Sequence, residues 1–305
     1  MLRYYGLLLL SAVAVAAAPI LVRISEVNPT ATLWLRMGVA TLLLVIPLGG
    51  PLGSSDEEAA PNVATERRPP RRTVIWIGIV LSGFLFCGDM LANHWAVRLT
   101  SVANTTLLMN LTPVFVILIA YLFLRERQSM LSVVGVAAAT AGALVLVGDS
   151  YTLSREHLIG DGLALSSALI YAGFMVLTKW LRNWVSATRL LRWHAGLSCL
   201  FLVPLVASSH SQVFPVTARG WAIVIGLAVI SQLIGHGLMT YAVKHVSAGI
   251  SSMSTLLIPA LSTTMAWALL EEPVEPHHLL GGGLVLAGIG LYALHDLRVE
   301  KGKPA

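Results

Sequence analysis

Charge is what this chain is short of. Only 11% of its 305 residues are charged, and 56% are hydrophobic, with a mean hydropathy of +0.78. A soluble globular domain carries about 25% charged residues, so most of this surface is built to face something other than water. Cysteine is nearly absent too. Cys87 and Cys199 each sit inside an apolar run, which excludes a disulfide framework and any CxxC metal site, and both read as inert packing residues. The net charge of +5 forms no patch. The basic residues lie between apolar runs, which reads as topology signals and not as nucleic-acid binding. No nucleotide-binding motif and no HExxH occur, and no cofactor is expected.

What is present is apolar runs of spanning length, near 4–23, 30–50, 73–96, 101–123, 130–148, 159–180, 189–208, 220–243, 247–270 and 277–295. About 20 apolar residues cross a ~30 Å hydrocarbon core. The fold class expected is therefore all-α integral membrane, with ten transmembrane helices. The first run follows Arg3 and ends near Ala16-Ala17-Ala18, a signal-peptide look. Its length, and a counterpart near 160–178, make it the first span. The exception among short connections is 51–72, rich in Pro, Ser, Glu and Arg, which reads as a mobile cytoplasmic loop.

The last third repeats the middle at an offset of 146. Residues 95–148 and 241–294 share 11 identities in 54 positions, among them Ala96-Val97 with Ala242-Val243, Pro113 with Pro259, Glu126 with Glu272, and Gly135 and Gly142 with Gly281 and Gly288. The two beginnings echo each other at an offset of 156, as in Ser11-Ala12 with Ser167-Ala168 and Leu35-Arg36 with Leu191-Arg192. The units are thus 1–150 and 151–296, with a tail over 297–305. With the N-terminus in the cytoplasm, 15 Lys and Arg fall inside and 4 outside, Arg36 lying within a span. Both termini are then cytoplasmic. Five spans per copy is odd, so the second copy is inserted upside down. Inverted repeats around a shared central site are a transporter architecture.

Leu111-Thr112-Pro113-Val114-Phe115, Leu124-Arg125-Glu126-Arg127, Gly135 and Ala141-Gly142 resemble the EamA family of the drug/metabolite transporter superfamily. The second copy repeats the pattern in Ile258-Pro259-Ala260, Leu270-Glu271-Glu272, Gly281 and Gly288, and Trp34-Leu35-Arg36 also fits. One departure is visible: where members often carry a Trp-Gly pair in the first span, this chain reads Val13 to Pro19 without one. The resemblance implies a ten-helix transporter of small metabolites, often an exporter of amino acids, in a bacterial inner membrane.

Asp89 is the leading candidate residue, because a carboxylate in hydrocarbon costs about 2.5–3.5 kcal/mol and must face a cavity or a partner. Asn93 shares its helical face, and His94 and Trp95 follow. His236, with Gln232 one turn earlier, aligns beside Asp89 in the 146 register and is expected to form a proton-coupling pair with it; a packing histidine is the alternative. Arg36 and Arg192 read as structural, snorkelling to an interface, with a substrate carboxylate as the other reading for Arg36. Asn110, Ser254 and Thr255 precede Pro113 and Pro259, whose missing N–H groups bend helices and let polar groups line a cavity. Tyr171 sits deeper than Trp34, Trp95, Trp193 and Tyr241 and is expected to stack on substrate. Glu126 and Glu272 read as helix-end contacts. The runs Gly281-Gly282-Gly283 and Gly288-Ile289-Gly290 read as close helix packing. His277-His278 makes a poor metal site.

The leading reading is a secondary transporter exporting amino acids or similar small metabolites by alternating access, with protons as a coupling partner and the lipid bilayer around it, as a monomer or homodimer. A cationic amine or drug transporter and an uncoupled facilitator are the alternatives. An intramembrane aspartyl protease needs two close carboxylates, and Cys87-Gly88-Asp89 supplies one.

Overall fold

Long apolar runs in a medium without hydrogen-bonding solvent must satisfy their backbone groups internally, and they do so as helices. The structure, a computed structural model, describes residues 2–45, 70–100, 105, 108–125, 129–147, 158–209, 212–270 and 276–301. Among the described residues all regular structure is helical. The helices are α1 (Leu2–Arg23), α2 (Pro29–Val45), α3 (Arg72–Leu99), α4 (Thr112–Leu124), α5 (Met130–Val147), α6 (Leu158–Leu181) and α7 (Ala187–Ala207). They continue with α8 (Ala218–Ala242), then α9 (Ala248–Met253), α10 (Leu257–Leu270) and α11 (Pro276–Lys301). Most of the 51–72 loop, and Glu126 and Glu272, lie outside the described residues.

Among the described residues four helices are long and apolar enough to cross a membrane: Arg72–Asn93, Leu158–Leu181, Ala187–Ala207 and Ala218–Ala242. Six shorter apolar helices accompany them. Large side chains such as Leu42, Phe123, Ile159 and Leu200 point outward, while the centre is filled by Ala16, Ala40, Ala120, Ala168, Ala172 and Ala195. That distribution suits a bilayer, where small residues bring helices close and lipid tails solvate the large ones.

Helix pairing has a regular form. α1 packs on α8 and α3 on α6; α3 packs on α7 and α2 on α8; α4 packs on α6 and α1 on α10. α2 also packs on α7, and α5 on α11. Exchanging each helix for its counterpart 146 or 156 residues away returns the same pairs.

The α5–α11 contact shows why some glycines are required. A Cβ on Gly142 would lie 2.6 Å from the Val285 nitrogen, and one on Gly288 would lie 2.4 Å from the Ala139 nitrogen. Gly282, Gly283 and Gly290 have open space around them. The close packing is seen at Gly135, Gly142 and Gly288, with the Gly281 carbonyl lying against Gly142, and not along the whole glycine runs.

Three places depart from ideal helix. The middle of α8, Leu227–His236, is π-helical. A 3-10 turn, Ser254–Leu256, separates α9 from α10. The chain turns at Asn110 and Leu111 before α4 begins. Pro113 sits at the start of α4, and Pro259 is the third residue of α10. Pro113 has no N–H to offer the Met109 carbonyl, and the Thr112 hydroxyl donates to that oxygen instead, at 2.6 Å.

Candidate functional site

Where the Ser254–Leu256 break meets α1, α6 and α8, a small cavity of about 10 Å³ remains, lined by Ser11, Val15, Tyr171, Met239, Ser254 and Thr255 among others. One water needs roughly 10–15 Å³, so the site is closed on itself in this conformation. Its walls come from both halves of the chain. Sequence reasoning named Tyr171, Ser254 and Thr255 and missed Ser11. The Thr255 hydroxyl donates to the Ser252 carbonyl at 2.6 Å, and the Tyr171 hydroxyl to the Met239 sulfur at 3.6 Å.

From Tyr171 an aromatic series runs into the core. Its ring stacks on Phe174 with centroids 5.7 Å apart. Phe174 lies 5.0 Å from Phe86 and 5.0 Å edge-on from His194. Phe86 in turn meets His236 edge-on at 5.2 Å. His194, on α7, was not singled out from sequence. Its Nε2 lies 2.9 Å from the Ser82 hydroxyl, and that hydroxyl donates its own proton to the Ile79 carbonyl at 2.9 Å. Ser82 can then only accept, so the network assigns the His194 proton to Nε2.

Asp89 is fully buried on the stripe of α3 that carries Ser82, Phe86 and Asn93. The Ser167 hydroxyl of α6 donates to its Oδ1 at 2.5 Å and lies 3.3 Å from its main-chain oxygen. Oδ2 is buried without a partner. Asp89 and His236 are not hydrogen-bonded to each other; Phe86, one turn from Asp89 on α3, stands beside the His236 ring. Asn93 points its amide at the Met109 sulfur. Asn110 is buried with Nδ2 unpartnered, outside the cavity wall.

Arg36 and Arg192 do not behave alike. Arg192 is exposed on α7, whereas Arg36 is buried, at 6% exposure, and donates from Nη2 to the Gln232 Oε1 at 2.9 Å. Snorkelling describes neither the place nor the partner of Arg36. The difference arises because α2 turns this face onto the π-helical part of α8, while α7 turns the equivalent face outward.

Both ends of α8 are held by polar groups from elsewhere. Glu26, between α1 and α2, accepts from the N–H groups of Val216 and Thr217 at 3.2 Å and from the Thr217 hydroxyl. The Thr217 hydroxyl, then the backbone N–H groups of Thr217, Val216 and Gly220, hold the Glu26 carboxyl below the usual carboxylate range. At the other end Arg182, fully buried, donates to the Thr240 carbonyl at 2.9 Å and to the Val185 carbonyl at 2.8 Å. Carboxylate at the N-terminus and guanidinium at the C-terminus both match the helix dipole. Beside Arg182, His245 stacks on Tyr4 with centroids 4.2 Å apart. Burial, then the cations Lys244, Arg182 and Arg3, push its pKa down to about 4. Sequence reasoning counted Arg182 only as a topology charge and did not consider Glu26.

Comparison with known proteins agrees with this architecture. The chain is 29% identical over 259 residues to the probable terminal-alkyne amino-acid exporter of Streptantibioticus cattleyicolor, covering 84% of this chain and 81% of that one. It is 26% identical over 209 residues to the pseudopaline exporter CntI of Pseudomonas aeruginosa, covering 68% and 72%. A solved crystal structure superposes with a TM-score of 0.76 over 98% of both chains at 18% identity, a likeness of fold alone. The EamA-like transporter family model matches residues 2–148 and, a second time, 158–294. Two copies of one family unit, meeting around a closed cavity between apolar helices, make this chain a multi-pass membrane transporter of the EamA-like family.

Proposed function

We propose that the protein is a secondary exporter of amino acids or similar small metabolites, working by alternating access and driven by protons. The observation that carries the reading is the cavity whose wall is shared between the two family units, with Ser11 on one side and Tyr171, Ser254 and Thr255 on the other. Helix pairing that survives exchange of the halves supports ten spans arranged as two inverted units, 1–150 and 151–296. In that arrangement inward-open and outward-open forms are related by swapping the roles of the halves. The excess of Lys and Arg in alternate connections supports cytoplasmic termini in a bacterial inner membrane.

Substrate enters beside Tyr171, against the polar groups of Ser11, Ser254 and Thr255, with Gln232, Asn93 and Asn110 reached as the helices part. Asp89 is the proton carrier: it is enclosed and half-satisfied, held by Ser167 and free at Oδ2. His236 is the second proton-handling group, coupled to Asp89 through the packing of Phe86 and not by a direct bond.

The test is efflux from proteoliposomes loaded with a panel of radiolabelled amino acids and amines, with and without a pH gradient. At least one amino acid should leave faster with the gradient, and Asp89→Asn should lose that gain while keeping the fold, as should His236→Ala. Gradient-independent efflux unaffected by either change would refute the coupling, and a panel in which nothing moves would refute the substrate class.

A further inference from the structure

Among the described residues no carboxylate is bonded to the buried cation Arg36. Its one side-chain partner is a neutral amide oxygen, Gln232 Oε1, at 2.9 Å. Its Nε is buried and unpartnered, and so are the Gln232 Nε2 and the Ser231 hydroxyl on the same π-helical turn of α8. Asp89, the buried acid of the core, is engaged by Ser167 instead. Arg182 shows what a purely structural buried arginine looks like in this protein: two backbone carbonyls accept from it, at 2.9 and 2.8 Å. Leaving buried donors open is expensive, and more so when one is charged. The expense makes sense where an acceptor arrives from outside.

The open groups describe that acceptor. Open N–H donors remain on Arg36 of α2 and on Gln232 of α8, the two side chains joined by the bond between them and carrying one positive charge, and the open Ser231 hydroxyl is next to Gln232 in the chain. An arginine fork suits an oxygen anion that takes two parallel hydrogen bonds. A single charge suits a monoanion better than phosphate, which carries nearly two. Arg36 and Gln232 stand behind the cavity wall and do not line it; Gly235, three residues on from Gln232, packs on Val15 of that wall, a Cβ there meeting Val15 at 2.7 Å. We propose that Arg36 and Gln232 bind the carboxylate of the transported compound, which rests on the exporter reading above and narrows it to carboxylate-bearing substrates. An amine without a carboxylate meets an uncompensated guanidinium and is rejected.

The test measures thermal unfolding of the purified full chain in lipid nanodiscs, at constant ionic strength, with sodium isovalerate, L-leucine or L-leucinamide. Isovalerate and leucine should raise the midpoint, and leucinamide should not. Arg36→Lys keeps the charge and loses the fork, so apparent affinity for leucine should fall about 10- to 100-fold. Gln232→Glu supplies an internal carboxylate: the ligand-free midpoint should rise and the response to isovalerate should vanish. Equal stabilisation by leucine and leucinamide, or an undiminished isovalerate response in Gln232→Glu, overturns the proposal. The two readings can fail separately. A protein that exports panel amino acids yet ignores isovalerate refutes the carboxylate site and leaves the exporter standing. A protein that binds isovalerate through Arg36 but exports no panel compound supports the site while the amino-acid reading falls.

Discussion

The Ser167 hydroxyl donates to one oxygen of the Asp89 carboxylate at 2.5 Å and leaves the other oxygen buried with no partner. Its counterpart 156 residues earlier, Ser11, donates to the Gly235 carbonyl at 2.8 Å, and Gly235 is the counterpart of Asp89 in the 146 register. The same helix crossing is thus held twice by the same bond, serine hydroxyl to main chain. Only one copy adds a carboxylate. The pair is where the two halves are alike in structure and unlike in charge.

That asymmetry separates the two serines by experiment. Ser167→Ala leaves Asp89 with neither oxygen bonded, and a hydrogen bond to a charged group contributes about 1.5–3 kcal/mol. Gradient-driven export should fall about tenfold or more, with gradient-independent export kept. Ser11→Ala removes only a neutral bond and should spare the gradient response. Equal losses in the two variants would mean that the carboxylate adds nothing to the crossing.

Gly235→Ala tests the crossing from the other side. The new methyl would lie 2.7 Å from the side chain of half-buried Val15, so one of the two must shift. Overpacking of this kind costs about 1–3 kcal/mol. The melting midpoint should drop, and transport should drop further because Val15 also lines the cavity. Gly290→Ala, with open space around it, is the control and should change neither.

Arg182→Met should destabilise the protein more than removal of any exposed arginine. The change strips hydrogen bonds from the Thr240 and Val185 carbonyls, and an unsatisfied buried polar group costs about 1–3 kcal/mol. Arg192→Met, at an exposed position, should be near neutral. Midpoints of thermal unfolding in one detergent decide it; matching values for the two variants would contradict the clamp.

His245 gives a pH dependence with a definite sign. Its folded pKa, about 4, lies below the ordinary 6.5, so the unfolded chain binds the extra proton first. Stability from this residue is whole above pH 6.5 and is lost as pH falls from 6.5 toward 4. His245→Phe keeps a ring against Tyr4 and removes the titration. Between pH 7.5 and 5 the wild type should lose more of its midpoint than the variant does. Parallel curves would show that the ring is not held neutral.

The sequence made the helical architecture plain because bilayer-facing helices write themselves as long apolar runs, and the doubled unit because identities such as Pro113 with Pro259 recur in register. Ser254 and Thr255 stood out because polar groups precede a proline there, and Tyr171 because it sits deep within its apolar run and not at an end. Other features did not. The echo of Ser11 with Ser167 was visible as repetition, but nothing local says that one serine meets a carbonyl and the other a carboxylate. His194 looked like any histidine in an apolar run until Ser82 was found across the interface. Arg36 and Arg192 stand at matched positions, and only the packing of α2 against α8 buries one of them. The π-helical winding of Leu227–His236 is not visible in the sequence, since the spacing of Ser231, Gln232 and His236 within an apolar run fits an ordinary helix equally well.

That winding has a mechanical meaning. α8 is fastened at its first turn by Glu26 and at its last by Arg182, so it cannot slide along its axis without tearing out one anchor. Between the anchors it is coiled more slackly than an α-helix, with hydrogen bonds reaching five residues instead of four. The two anchors oppose sliding and leave torsion of the middle open, as for a shaft held in two bearings. Gln232 and His236 sit on that π-helical stretch.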